Sequence, residues 1–149
     1  MPPSVPPFAV PSDPRPLRLR PEIEELATLT EFIEGFAEER NLPVADALAI
    51  TLAAEELFAN TINHGLSATV VEFSLTANES VITATYADDA GMFDPTAFPE
   101  ADTSLPLELR QIGGLGIHFI RRTMQNFDYQ RVDDRNVTTF GRAITRKAS

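Results

Sequence analysis

The chain has 149 residues, 43% of them hydrophobic, enough for one domain with one core and too few for two ordinary ones. Its formal charge of −10, from 22 acidic and 12 basic residues, opposes phosphate backbones and anionic lipid, so neither nucleic acid nor membrane is expected as a direct partner. Cysteine is absent, which excludes disulfides and thiolate metal sites, and no apolar run nears the ~20 residues that span a bilayer.

Residues 1–16 hold more than half of the twelve prolines and read as an extended tail, with residues 17–149 as the domain. The start has neither a basic n-region nor a continuous apolar h-region, so a cytoplasmic protein is expected. Leu17-Arg18-Leu19-Arg20 alternates as a short strand stopped by Pro21. From Glu22 to Arg40, Ile23, Leu26, Leu29, Ile33 and Phe36 recur every three or four residues, which predicts an amphipathic helix with most of its glutamates on the wet side. A second helix runs from about Val44 to His64, ended by Gly65; its first three turns are apolar nearly all round and are expected to be buried. Strands follow at Thr69–Thr76 and Val81–Ala87, joined by Ala77-Asn78-Glu79-Ser80. Asp88 to Ile112 lacks periodicity. Gly113 to Gln125 reads as a glycine-led helix, and Phe127–Val132 with Val137–Ile144 as a closing hairpin around Asp133-Asp134-Arg135-Asn136.

Chemistry gathers in three places. Near the end of the buried helix, Glu56, Asn60 and His64 are four apart and share a face, with Asn63 beside it. A carboxylate one turn from an amide oxygen offers a hard cation its ligands, or a base beside a metal ligand; an exposed polar stripe near a helix end is the equally good plain reading. Next, Asp88-Asp89-Ala90-Gly91-Met92-Phe93-Asp94-Pro95 follows a strand directly. A carboxylate there can accept from an exocyclic amine, and glycine permits a sharp turn, although Asp and Gly also make ordinary turns. Asp88 shares the phase of Ile82, Ala84 and Tyr86. Third, Gly113-Gly114-Leu115-Gly116 opens a helix, where backbone N–H groups and the helix dipole suit phosphate. It is neither a Walker A loop nor a GxGxxG fingerprint, and a tight turn into a helix is the plain alternative.

In order, Glu56…Asn60, Asp88…Phe93-Asp94-Pro95 and Gly113-Gly114-Leu115-Gly116 resemble the N box and the two glycine boxes of the Bergerat-fold ATPases. The run from Pro106 to Arg122 resembles their anti-sigma factor branch of serine-protein kinases, and the likeness covers roughly residues 17 to 145. It implies a two-layer α/β sandwich, a mixed and mainly antiparallel sheet with helices on one face. It also implies ATP and magnesium (Mg2+) as ligands, with Glu56 as general base and Asn60 on the magnesium. The nucleotide would further meet Asn63, Gly91, Gly113, Gly114, Leu115, Gly116 and Thr139, with residues 95–112 as a lid. The adenine amine would fall to Asp88 or Asp89, with strand phase favouring Asp88. Ala90 departs from the family's glycine, a backbone cost if it must take a positive φ.

The function so implied is an ATP-dependent anti-sigma factor that phosphorylates a serine or threonine of an antagonist protein. Its partners would be a sigma factor and that antagonist, with a homodimer as a further option. A nucleotide-binding interaction module without phosphotransfer is the alternative. The catalytic domain of a two-component histidine kinase has less support, since no phospho-accepting helical hairpin precedes these residues.

Overall fold

The structure is a computed structural model that describes residues 15–97 and 112–145. Residues 1–14 of the expected tail and residues 98–111 of the expected lid lie outside the described residues.

The elements run β1 (Leu17–Leu19), a 3-10 turn at Ile23–Glu25, α1 (Leu26–Glu39), α2 (Val44–His64), β2 (Val71–Ala77) and β3 (Val81–Asp88). A 3-10 turn at Pro95–Ala97 precedes α3 (Ile112–Thr123), β4 (Asn126–Val132) and β5 (Arg135–Ala143). The strands form one sheet in the order β1-β2-β3-β5-β4. Every described pairing is antiparallel, in a sheet expected to be mixed and mainly antiparallel. Two tight hairpins account for two of those pairings. In one, Asn78 Oδ1 accepts from the N–H groups of Ser80 and Val81 at 2.8 Å. In the other, Asp133 and Asp134 both take positive φ, 50° and 60°, a conformation that short polar side chains tolerate.

Register settles which face is buried. Leu75, Ala84, Phe140 and Phe127 are cross-strand neighbours, as are Phe73, Tyr86, Thr138 and Tyr129. These rows face the helices, where Leu29, Ile33, Ile50, Phe58, Phe73, Ile117, Ile120 and Phe140 make one core. Burying each such side chain contributes about 1.5–3 kcal/mol. The other face carries Ser74, Thr85, Thr139 and Asp128 in one polar row. The molecule is thus a two-layer α/β sandwich with helices on one face.

Three expectations need correction. Ile23 lies in the 3-10 turn and not in the helix, and it is exposed. The start of α2 is not buried all round: Val44, Leu48 and Leu52 face solvent, because a two-layer fold covers α2 with α1, α3 and the sheet and leaves one side open. The last hairpin turn is shorter than expected, so Asn136 belongs to β5 and not to a loop.

Asp46, at the start of α2, is completely buried. It accepts from Arg142 Nε at 2.7 Å and from the Thr145 N–H and hydroxyl at 2.8 Å each, tying α2 to the end of β5. Burial pushes its pKa up, but these hydrogen bonds and the Arg142 charge outweigh burial and leave it lowered.

Candidate functional site

A pocket opens where the C-terminal half of α2 meets the end of β3. Leu57, Asn60 and Thr61 of α2 form one wall, Tyr86 and Asp88 of β3 the floor, and Asn136 and Thr138 of β5 the far side. Ala90, Phe93 and Pro95 close the rim. The pocket is open to solvent and as it stands admits roughly one water at depth, with about 20 Å³ available to water-sized centres.

Asp88 ends β3 in the phase of Ile82, Ala84 and Tyr86, which turns it toward the helices. Its Oδ2 accepts from Thr61 Oγ1 at 2.7 Å, and its Oδ1 from Asn136 Nδ2 at 2.8 Å and the Ala90 N–H at 3.1 Å. A carboxylate offers about four acceptor positions, so one stays open for a donor from a ligand. Tyr86 Oη lies 2.7 Å from Thr61 Oγ1. Since Thr61 gives its proton to Asp88, Tyr86 donates to Thr61. Burial raises the Tyr86 pKa far beyond neutrality and keeps that proton in place.

Asn136 fixes this floor from the far side. Its Oδ1 accepts from the Phe93 N–H at 3.1 Å, Tyr129 Oη at 2.6 Å and Arg131 Nη1 at 3.1 Å. Its Nδ2 donates to Asp88 and to the Gly91 carbonyl at 3.0 Å. Donors on one side and acceptors on the other determine the amide's orientation. The sequence reading missed Asn136, Thr61 and Thr138. The available signal was phase, because Asn136 and Thr138 alternate with Phe140, which faces the core.

One turn along α2, Glu56 rests on Gly116 of α3. A Cβ on Gly116 would overlap the Glu56 carboxylate and stand 2.6 Å from its Cγ, so a side chain there would displace the Glu56 carboxylate. Burial raises the Glu56 pKa, and the neighbouring Asn60 amide offsets part of the rise. That amide acts by proximity only, because Asn60 Nδ2 makes no aligned hydrogen bond although Asn60 is 6% exposed. A buried, unpartnered polar group beside a half-buried carboxyl is costly unless a ligand completes it.

The remaining expected residues divide clearly. Asp89 turns away from the pocket: its carboxylate takes the Thr69 and Val70 N–H groups, at 2.7 and 3.1 Å, and the Thr69 hydroxyl, anchoring the chain that leads into β2. Thr139 is corrected to Thr138, since Thr139 lies on the open face of the sheet. Gly91 is exposed with open space at its Cβ position, and Asn63 is exposed; neither lines the pocket. Gly113, Gly114 and Leu115 form the first turns of α3 with Gly116. Ala90 is buried without a positive φ, so its replacement of glycine carries no backbone cost. The residue that must be small is Gly65, whose φ is −94°: a Cβ there would stand 2.8 Å from the Thr61 carbonyl oxygen and 3.0 Å from Ala90 Cβ. His64 stacks on Phe93, centroids 5.6 Å apart, and holds the rim to the end of α2.

A buried acceptor and a buried amide without an aligned hydrogen bond thus face one pocket between α2 and the sheet, with the Glu56–Gly116 contact one helical turn away. The sequence pattern of the histidine kinase-like ATPase domain matches residues 19–142, and the chain belongs to that family. Among solved structures, the RsbU and RsbW domains of Rv1364c from Mycobacterium tuberculosis are similar to it, with a TM-score of 0.59 and 17% identity. That likeness covers 89% of this chain but 33% of the other, and at this identity it concerns the fold. No curated protein sequence matches the chain.

Proposed function

We propose that the protein is an ATP-binding anti-sigma regulatory factor and a protein serine/threonine kinase, acting in the cytoplasm on an antagonist of its own type of switch. The observation that carries this reading is the meeting of Asn60 and Asp88 in one pocket, one helical turn from the Glu56–Gly116 contact. Asp88 keeps one acceptor position for the adenine amine, and Tyr86, Leu57 and Phe93 supply apolar surface for the ring.

The residues fit a magnesium nucleotide. No cluster of three His, Cys, Asp or Glu exists among the described residues, so a cation would rely on the Asn60 amide oxygen and on phosphate oxygens, as magnesium commonly does. When bound, it neutralises phosphate charge. The first turn of α3, with Gly113 and Gly114, would offer its free N–H groups to the phosphates. Glu56 takes the proton of the attacking serine or threonine hydroxyl as its oxygen bonds to the γ-phosphorus and the bond to ADP breaks. A carboxyl raised by burial suits that role better than a solvated one. The new phosphate charge on the antagonist would disrupt its docking and free the sigma factor to trade partners.

Millimolar ATP with magnesium should raise the melting temperature, since a ligand of the native state stabilises it by mass action. Transfer of labelled phosphate from ATP to a candidate antagonist tests the kinase reading; no thermal shift in the folded protein would remove the nucleotide reading as well.

A further inference from the structure

The start of α2 carries an apolar stripe that stays exposed among the described residues. Val44, Leu48 and Leu52, one turn apart, are 83%, 55% and 41% exposed. Val44 and Leu48, with Leu42, line a groove of about 540 Å³ whose opposite wall is α1, with Glu34 and Glu38. Both glutamates are exposed, and neither makes an ion pair with another described residue. Among the described residues, no Lys, Arg or His lines this groove.

Apolar positions spaced i, i+4 and i+8 on one helix match the contact stripe of a second helix laid beside it. Contiguous exposed apolar surface of this kind marks an interaction site. The charge decides what occupies it. A second copy of this chain, meeting it by two-fold symmetry, would bring Glu34 and Glu38 against acidic walls, and like charges across an interface oppose association.

We propose that this groove docks an amphipathic helix of another protein, with its apolar stripe on Val44, Leu48 and Leu52 and lysines or arginines facing Glu34 and Glu38. Leu48 precedes Asn60 by twelve positions on the same helix, about 18 Å along its axis, so docking does not need the pocket filled. It stands independently of the nucleotide reading.

The test is fluorescence anisotropy on the full chain without nucleotide, using a labelled 18-residue leucine–lysine amphipathic peptide and its leucine–glutamate counterpart. The leucine–lysine peptide should bind saturably and the leucine–glutamate peptide should not. Leu48→Ser and Glu38→Lys should each weaken binding about tenfold, a difference of about 1.4 kcal/mol. Glu24→Lys makes the same charge change on the 3-10 turn and should leave binding unchanged. Leu48→Ala serves if Leu48→Ser melts early. Three results would overturn the proposal: no saturable binding by about 1 mM peptide, equal losses from Glu24→Lys and Glu38→Lys, or self-association abolished by Leu48→Ser.

Discussion

Asn136 shows how one amide can set the geometry of a carboxylate it serves. It holds Asp88 from one side while Thr61 holds it from the other, so the acceptor position left open has a fixed direction. Removing the amide deletes its part-buried bonds to the Tyr129 hydroxyl and the Phe93 N–H as well as its buried bond to Asp88, each worth about 0.5–1.5 kcal/mol. Asn136→Ala should therefore lower the melting temperature and weaken nucleotide affinity together, read by thermal melts and titration calorimetry. Asn136→Asp should be worse in affinity, because it sets a second carboxylate against Asp88. Glu56 separates stability from chemistry. Its pKa is raised, so folding favours its neutral form and gains least once pH exceeds the folded value. Glu56→Gln should melt no lower than wild type at pH 7 while losing phosphotransfer. A lower melting temperature in that variant would show that the carboxylate is held by favourable contacts and is not merely buried.

At the scale of elements, the contact that matters most joins α2 to α3. The Glu56 carboxylate and Cγ occupy the space that a Cβ on Gly116 would take. The atoms met belong to the far end of a flexible side chain, so Gly116→Ala should swing the Glu56 carboxylate aside and slow phosphotransfer, while changing stability by less than about 1 kcal/mol. In a Glu56→Ala background the same change should be neutral or stabilising, since no side chain is displaced. A double-mutant cycle on denaturant unfolding measures that coupling, and additive costs would remove the packing explanation.

Across the whole molecule, Asp46 and Arg142 stand 96 positions apart yet lock the start of the helical layer to the last strand. Breaking a buried pair by removing one partner is costly, and Asp46→Ala should lose about 3 kcal/mol at neutral pH. Because the folded pKa lies below the ordinary value of 3.8, this contribution is present above that value and fades as pH falls through the folded one. Melting curves from pH 7 down to about pH 2 should show the gap between wild type and Asp46→Ala closing only below the ordinary aspartate value. A constant gap would assign the loss to packing.

The sequence alone determined the elements, because helix and strand periods are local and repeat every three to four residues or every two. The α2 span from Val44 to His64 was legible in this way, as was the inward phase of Asp88, which follows from Ile82, Ala84 and Tyr86 within a single strand. What single-sequence spacing does not carry is which side of an element its neighbours cover. Tertiary packing alone exposed Val44, Leu48 and Leu52, turned Asp89 onto Thr69, and brought Thr138 instead of Thr139 to the pocket. It also joined Asn136 to Asp88, 48 positions away, and Gly116 to Glu56. These contacts depend on strand register and on the distance between helices, which arise only when the whole core closes.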